Sequence, residues 1–297
     1  MVPPMSSPQS ADPAVPQVFD RAFYRLRRQR GQHLGGDRFL LLEAAEGLAD
    51  RLGAVRRRFC SALDLASSPE SRRYLVPHAE QWTQLGLTDR DGGQLIGDEE
   101  ALPFGASCFD LVTSVLSLHA VNDLPGALLQ IRNLLRPDGL FVAAMFGADT
   151  LHELRAAFAA AELQLRDGLS PRVAPFADVR SLGMLLQRAG FAMPVVDVER
   201  TTVNYKNFSN LVTDLRAMGE VNYLCDRERR PLSRGLLAAM LSNYQENYGT
   251  GHGRVAASFD VVYMTAWAPH ESQPKPLRPG AATTRLADAL GTVERRA

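Results

Sequence analysis

Acidic and imidazole side chains follow apolar runs at separate places in the sequence. Asp64 lies at the end of the run Ala62–Leu65, Asp98 lies in a polar stretch before a longer apolar run, and His119 follows the run that begins at Phe109. A carboxylate can orient a polar or cationic ligand, and an imidazole can accept a proton near neutral pH. We take these three residues as candidate site residues, with His119 as the candidate general base.

Each candidate also has a purely structural interpretation. Asp64 can cap the turn that follows its strand, and Asp98-Glu99-Glu100 can be a solvated polar loop. His119 can be a hydrogen-bonded, partly buried histidine without a catalytic role. The sequence leaves both interpretations open for all three positions.

Three apolar runs predict strands. They are Ala62–Leu65, FDLVTSVLSL from Phe109 and GLFVAAMFG from Gly139, and their β-branched residues without polar alternation are typical of parallel strands buried on both faces. Between the last two, Asp123 can N-cap a helix that has Pro125 in its first turn. This order predicts a right-handed strand-helix-strand crossover.

Such crossovers predict an α/β fold with a doubly wound, mostly parallel, Rossmann-like sheet, whose ligands bind beyond the carboxyl ends of the strands. Two further strand-like runs, Val195–Tyr205 and Val255–Trp267, enclose helical sequence that predicts a lid over that edge. The predicted organisation is a disordered tail at 1–16, an N-terminal helical cap at 17–56, the α/β domain at 57–268 with a helical insertion at 207–252, and a Pro-rich tail at 269–297.

Charge and hydropathy exclude several classes of partner. Lys+Arg and Asp+Glu both number 33, so no global field attracts nucleic acid. The apolar runs fall short of the roughly 18 residues of a transmembrane segment, and the N-terminus lacks the pattern of a secretory signal. We expect a cytoplasmic protein without a transmembrane segment.

Arginines between Arg21 and Arg30 form the strongest local charge. Phe19, Phe23 and Leu26 are spaced for one helix face, so the segment predicts an amphipathic helix. This helix can dock on the domain with its arginines in solvent, or it can contact a protein partner or a membrane surface.

Cysteines and histidines give no metal site. Cys60, Cys108 and Cys225 are too few and too widely spaced for a disulfide framework or a thiolate site, so we expect reduced, buried thiols. No second histidine lies one helical turn after His152-Glu153, which excludes a zinc-protease helix there.

Longer motifs carry a family resemblance. The stretches ALDLASS, GDEEALPFGASCFDLVTSVLSLHAVNDLPGALLQIRNLLRPDGLFVAAMFGADTLHELR and HESQPKPLRPGAA resemble the class I methyltransferase family that includes the respiratory complex I assembly factor 5 and, more distantly, the biotin-pathway carrier-protein methyltransferase. The resemblance runs from Phe19 to Arg285 and is strongest from Asp98 to Arg155. It implies a fold that binds S-adenosylmethionine. In the assembly-factor branch it implies arginine hydroxylation of a complex I subunit.

The resemblance also implies roles by position. Asp64 would orient the methionine amino group, Asp89 or a neighbour would hold the ribose hydroxyls, and Asp98, beside Glu99, would reach the adenine amino group. The residues that would face the transferred group are Ser114, Leu118 and His119.

The loop after Asp64 departs from the family pattern. The family has Asp-Leu-Gly-x-Gly-x-Gly, whereas Ala66, Ser68 and Glu70 replace the three glycines here. Glycines serve where φ is positive and where backbone approaches a ligand closely. The segment Ser68-Pro69-Glu70 is also a good helix start without any ligand. We therefore expect S-adenosylmethionine to bind weakly or not at all.

Three functions follow from these observations. The first is an S-adenosylmethionine-dependent methyltransferase that acts on a protein substrate, with a complex I subunit as the implied partner. The second is a non-catalytic assembly factor or partner subunit that has lost the cofactor. The third is a protein arginine hydroxylase, which would need iron or another oxidant, and the sequence has no local two-His-one-carboxylate signature.

Overall fold

The computed structural model describes residues 16–89 and 91–274, which form one seven-stranded sheet flanked by helices, in strand order β3-β2-β1-β4-β5-β7-β6. The strands are β1 (Phe59–Leu65), β2 (Ala79–Gly86), β3 (Leu95–Ile96), β4 (Phe109–Val115), β5 (Leu135–Phe146), β6 (Ala192–Tyr205) and β7 (Val255–Trp267). The helices are α1 (Arg21–Gly31), α2 (Phe39–Gly53), α3 (Pro69–Leu75), α4 (Leu124–Leu134), α5 (His152–Leu165), α6 (Val179–Arg188), α7 (Phe208–Met218) and α8 (Arg234–Tyr248). The predicted α/β fold with a mostly parallel sheet is confirmed.

The strand order reverses between β1 and β4. From β1 the chain proceeds outward through β2 and β3, then returns to place β4 on the other side of β1. These strands and β5 are parallel, and β7 is antiparallel to both of its neighbours, β5 and β6. The crevice between the ends of β1 and β4 is therefore the switch point where such sheets bind ligands.

Burial on both faces explains why the central strands lack polar alternation. In β1, Ala62 packs into the core that includes α2 and α8, whereas Leu63 packs into the opposite core with α4 and α6. In β4, Leu111 and Val112 alternate in the same way. Each apolar run therefore contributes to two cores at once.

The segment after Phe109 differs from its prediction. The strand ends at Val115, and Leu118–Ala120 form a short 3-10 turn. Leu116 has a φ of 46°, which extended backbone does not adopt, so the strand stops there. The helix predicted after it is confirmed, because the Asp123 carboxylate accepts a hydrogen bond from the Gly126 amide at 2.8 Å.

The apolar face predicted for α1 is only partly correct, because Phe19 and Phe23 pack into one cluster with Tyr24 but Leu26 does not. Phe19 precedes the helix and pairs with Leu224 in an isolated bridge, and Leu26 is exposed. The buried residues of α1 are Tyr24, Arg28 and Gly31. Arg28 is buried because backbone carbonyls and a phenol surround its guanidinium, a set of partners that no periodic pattern of apolar residues reveals.

Glycine lets α1 approach α7 closely. A Cβ on Gly31 would lie 2.7 Å from the carbonyl oxygens of Arg216 and Ala217. A side chain at position 31 would therefore push the end of α1 away from α7.

The helices predicted for the insertion are α7 and α8, which lie between β6 and β7. The expected disordered tail, apart from Pro16, and residues 275–297 of the Pro-rich tail lie outside the described residues. All three cysteines are free, as expected, but the prediction of buried thiols is wrong, because Cys60 is exposed and Cys108 and Cys225 are half-buried.

Candidate active site

The structure brings the candidate residues to one edge of the sheet. Asp64 pairs in register with Thr113 of the parallel strand β4, so both lie close to the carboxyl ends of their strands. Asp98 lies in the loop after β3, and His119 follows β4. Arginines of α1 connect these loops, because Arg21 donates to Asp98 at 2.7 Å and to the Ala120 carbonyl at 3.2 Å.

Asp64 is fully buried and its carboxylate already has three partners. Ser67 Oγ donates to it at 2.5 Å, Arg72 Nε at 3.0 Å and Thr113 Oγ1 at 3.3 Å. Burial raises the pKa of the Asp64 carboxyl above its ordinary value, and the hydrogen bonds from Ser67 and Arg72 oppose that rise. Oδ1 accepts two of these hydrogen bonds and Oδ2 accepts one, so partners within the chain bind both oxygens of the carboxylate.

Arg72 fills the space between the loops after β1 and β2. Its guanidinium donates to the carbonyls of Ser67 at 3.1 Å, Asp91 at 3.3 Å and Gly92 at 3.3 Å in addition to Asp64. These hydrogen bonds therefore occupy carbonyl and carboxylate oxygens that a ligand could otherwise contact.

Arg28 fills the crevice between β1 and β4. Its guanidinium donates to the carbonyl of Ala66 at 2.6 Å, to that of Leu116 at 3.3 Å and to the Tyr24 hydroxyl at 3.1 Å. Burial alone would lower the pKa of Arg28, but its interactions with Tyr24 and Asp91 outweigh that effect and leave this pKa above its ordinary value. Arg28 is a cation held at the switch point of the sheet.

Asp98 and Glu99 bind arginines of α1. Both Arg21 and Arg25 pair with Asp98, and Arg21 also pairs with the fully buried Glu99, which accepts a hydrogen bond from Ser117. Burial raises the pKa of Asp98, but the charge of Arg21 more than offsets this effect, so that pKa lies below its ordinary value.

Asp89 lies in the turn after β2. Its side chain is exposed and accepts a hydrogen bond from Gln29 at 3.2 Å. Its neighbour Asp91 is buried, accepts a hydrogen bond from the Thr88 amide at 2.9 Å and another from Gln32, the C-cap of α1, at 3.0 Å. Both acids therefore contact α1 or its C-cap, Asp89 from an exposed position and Asp91 from a buried one.

Only one of the three replaced loop glycines has a left-handed backbone. Ala66 has a φ of 57°, whereas Ser68 is extended and N-caps α3 by accepting the Ser71 amide at 3.2 Å. Glu70 is exposed and pairs with Arg38 at 3.2 Å. The segment forms the ligand-free helix start that its residue types favour.

His119 lies beside a cavity. Its Nε2 is 3.2 Å from a carboxylate oxygen of Glu220, its Nδ1 has no partner within the described residues, and its ring packs against Phe146 and Phe176 with centroids 4.9 and 5.6 Å away. The other two residues implied to face the transferred group, Ser114 and Leu118, are fully buried. Ser114 Oγ also has no partner among the described residues.

The cavity has a volume of about 240 Å³ and mixes aromatic walls with one carboxylate. Phe146, Phe176 and Phe259 line it, together with Glu220 and Tyr223. The Glu220 side chain is 7% exposed and lies 3.5 Å from the Tyr223 hydroxyl. Within 16–89 and 91–274, no three His, Cys, Asp or Glu side chains could hold a metal ion together.

Buried tyrosines between α1 and the cavity predict alkaline unfolding. Burial raises the pKa of Tyr24 to about 12, opposed by Arg28, and burial and the charge of Glu220 raise that of Tyr223 well above its ordinary value. Unfolded tyrosine titrates near pH 10, so stability is fully present below about pH 10 and falls as pH rises toward 12, by about 1.4 kcal/mol per pH unit for each phenol. Urea unfolding from pH 9 to pH 11 (roughly one unit either side of that value) measures this slope.

The control for this prediction is a tyrosine outside the cluster. Tyr24→Phe removes one ionisable phenol and should flatten the alkaline loss of stability, whereas Tyr74→Phe, at a half-buried position on α3, should retain it. An unchanged slope in Tyr24→Phe would contradict the assignment of this loss to Tyr24.

Sequence reasoning missed Arg28, Arg72, Tyr24 and Glu220. A weak signal existed for Arg72, which lies two residues beyond Glu70, just after the loop in which the glycines are replaced. Glu220 lies in the predicted insertion without any motif around it, and only the packing of α7 against α1 brings it to His119.

S-adenosylmethionine does not fit the edge in this conformation. Arg72 already pairs with Asp64, the acid that the resemblance assigns to the amino group of the cofactor. Arg28 binds the carbonyls of Ala66 and Leu116, and Arg21 binds Asp98. A cofactor could bind there only after these side chains moved.

Comparison with known proteins supports the fold and the family. Residues 67–143 match a methyltransferase domain family, which supports S-adenosylmethionine as the cofactor of this fold. Two solved structures, a Bacillus halodurans protein described as a methyltransferase and the YcgJ protein of Bacillus subtilis, align with a TM-score of 0.51 each. They are 13% and 11% identical and cover 76% and 77% of this chain and 99% of their own chains, which supports the fold alone.

Curated relatives match nearly the whole chain. The mitochondrial arginine-hydroxylase NDUFAF5 of Danio rerio is 39% identical over 289 residues, which cover 91% of this chain and 89% of the relative. The same protein of Homo sapiens is 37% identical, with coverages of 96% and 86%, and the malonyl-[acyl-carrier protein] O-methyltransferase of Halorhodospira halophila is 35% identical, with coverages of 84% and 80%. The chain therefore belongs to the class I S-adenosylmethionine-dependent methyltransferase family, in the NDUFAF5 branch.

Proposed function

We propose that this protein modifies an arginine side chain of a protein substrate during the assembly of respiratory complex I. The relatives in its branch are named arginine hydroxylases. The observation that carries the proposal is the cavity beside His119, in which one carboxylate, that of Glu220, lies among aromatic rings.

The cavity has the chemistry that a guanidinium requires. A planar cation stacks favourably on aromatic faces, which Phe146 and Phe176 offer, and it binds a carboxylate through two parallel hydrogen bonds. Among the ion pairs of the described residues, Glu220 has only His119 as partner. Two arginines also line the cavity: Arg172, which is paired with Glu162 and Glu228, and Arg216 of α7. The Glu220 carboxylate is therefore available for a substrate cation.

His119 would act on the bound arginine by holding Glu220 in place and by exchanging a proton through Nε2. Because a carboxylate only accepts hydrogen bonds, Nε2 carries the hydrogen that faces Glu220, and Nδ1 is the ring nitrogen without a partner in the described residues. Methyl transfer would put a methyl group on nitrogen and release one proton, whereas hydroxylation would insert an oxygen atom and need an oxidant and two electrons from outside the chain. Mass spectrometry of the product distinguishes the two, since one adds a methylene and the other an oxygen.

A second candidate is the non-catalytic assembly partner. The filled crevice favours it, because Arg28 and Arg72 take the positions at which a cofactor would bind. This candidate also binds the substrate, so it differs from the first only in leaving the arginine unmodified.

The binding test uses the blocked tripeptide acetyl-Gly-Arg-Gly-amide and its citrulline analogue, which has the same shape without the charge. We expect the arginine peptide to bind and Glu220→Gln to weaken it by about 10- to 100-fold, because hydrogen bonds to a charged group contribute about 1.5–3 kcal/mol. Chemical-shift perturbation of the intact protein measures both affinities.

Glu246→Gln is the matched control, because Glu246 lies exposed on α8 and outside the cavity lining. It should leave the affinity unchanged. Equal binding of the citrulline peptide, or an unchanged affinity in Glu220→Gln, would show that the cavity does not select a cation.

Localisation and membrane contact are separate proposals. None of the helices in the described ranges is long and apolar enough to cross a bilayer. A cytoplasmic location remains a prediction, while the relatives bear the word mitochondrial in their names. Peripheral membrane contact through α1 would involve few of its arginines, because Arg21, Arg25 and Arg28 bind groups of the domain.

A further inference from the structure

We propose that α1 is a displaceable cover of the cofactor crevice and that its Arg28 guanidinium stands in for the cationic amino group of S-adenosylmethionine. The inference rests on the fold and on Arg28, not on the arginine substrate proposed above. Arg28 is 6% exposed and is the residue of α1 that enters the crevice between β1 and β4.

The two carbonyls that Arg28 binds are turned into the crevice by unusual backbone. Ala66 and Leu116 have φ values of 57° and 46°, in the left-handed region that residues with a side chain rarely adopt. Each follows a central strand, and the two strands are parallel neighbours. Strained backbone of this kind concentrates at ligand sites, and here it forms a pair of acceptors at the switch point of the sheet.

The pair of acceptors selects a cation. Carbonyl oxygens accept hydrogen bonds, and a positively charged donor makes the stronger bond. S-adenosylmethionine carries an ammonium and a sulfonium, whereas Arg28 presents a guanidinium to the same oxygens. Two cations at the same pair of oxygens repel each other in this buried crevice, so cofactor and α1 compete.

Further contacts hold the cover closed. Arg21 and Arg25 pair with Asp98, Gln32 binds Asp91, and Gly31 lets the end of α1 pack on α7. All of these partners lie in the loops that border the crevice or on α7. The apparent dissociation constant of a cofactor is then the intrinsic constant divided by the fraction of molecules with α1 open.

Calorimetric titration of the full chain with S-adenosylmethionine tests the competition. Arg28→Met removes the internal cation, and we expect it to bind the cofactor at least about tenfold more tightly than the unmodified chain, a difference of about 1.4 kcal/mol. Arg27→Met is the matched control, because the Arg27 guanidinium lies over the Phe23 ring, 4.6 Å from its centroid, and outside the crevice. It should leave the affinity unchanged.

A second pair of variants opens the cover without touching Arg28, which keeps the test decisive if Arg28→Met does not fold. Gly31→Ala would push the end of α1 from α7, whereas a Cβ on Gly35 meets nothing within 4 Å. We expect tighter binding in Gly31→Ala and none of this gain in Gly35→Ala. Equal or weaker affinity in Arg28→Met and Gly31→Ala, or no binding by any of them, would overturn the proposal. Neither outcome affects the arginine-peptide test, which uses no cofactor.

Discussion

Asp64→Ala is expected to lower the free energy of unfolding by about 3–5 kcal/mol, because it leaves the buried Arg72 cation without its carboxylate. Asp64 is fully buried and Arg72 is 7% exposed, so water cannot replace the lost partner. The raised pKa of Asp64 does not oppose this expectation. A buried pair contributes little net stability relative to an apolar pair, whereas removal of one partner exposes the whole desolvation cost of the other. Urea unfolding followed by circular dichroism measures the loss.

The matched control is an exposed ion pair. Asp197 pairs with Arg51 at the surface and is 48% exposed, so Asp197→Ala should cost less than about 1 kcal/mol. Asp64→Asn keeps an acceptor for Ser67 and Thr113 but removes the charge, and it should give an intermediate loss. A loss below about 1 kcal/mol in Asp64→Ala would show that Asp64 is not a structural partner of Arg72. Asp64 would then be a candidate ligand-binding residue only.

Local patterns were sufficient to predict the central part of the fold. The runs that became β1, β4, β5 and β7 are apolar without alternation, and both of their faces are buried. The helix after Asp123 begins where its capping residue predicts. Such features depend on residues close together in sequence or on burial alone, and burial of both faces of a strand is visible as an uninterrupted apolar run.

The charged interior could not be predicted in the same way. Leu26 and Phe23 suggested the inner face of α1, yet Tyr24 and Arg28 are buried, because the acceptors of Arg28 come from loops 38 and 88 residues away. Burial of this cation depends on the direction of those carbonyls. That direction follows from a positive φ at Ala66 and Leu116, which the residue types Ala and Leu do not indicate.

Sequence spacing alone could not distinguish the acids after the second strand. It indicated Asp89 or a neighbour, and the structure has an exposed Asp89 bonded to Gln29 and a buried Asp91 bonded to Gln32. Two residues within one turn differ completely in burial, because a turn reverses the direction of the side chains over that length. The roles that the family resemblance assigns to Asp64, Asp89, Asp98 and His119 therefore stay predictions.

A continuous buried cluster links the crevice to the cavity. Tyr24 binds Arg28 through its hydroxyl, and its ring packs edge-on against Tyr223, whose centroid is 4.9 Å away. Tyr223 in turn lies beside Glu220, the partner of His119. Displacement of α1 would therefore also alter the cavity, and this gives a physical route by which cofactor binding and substrate binding influence each other.

Hydrogen exchange of the α1 amides with and without saturating S-adenosylmethionine tests most directly whether the cofactor displaces this helix. If the cofactor displaces α1, the amides of Arg21–Gly31 should exchange faster, because the helix loses the packing that keeps it closed. The amides of Leu124–Leu134 in α4 should exchange at an unchanged rate. Unchanged or slower exchange in α1, whether or not the loop at 64–72 becomes protected, would contradict it.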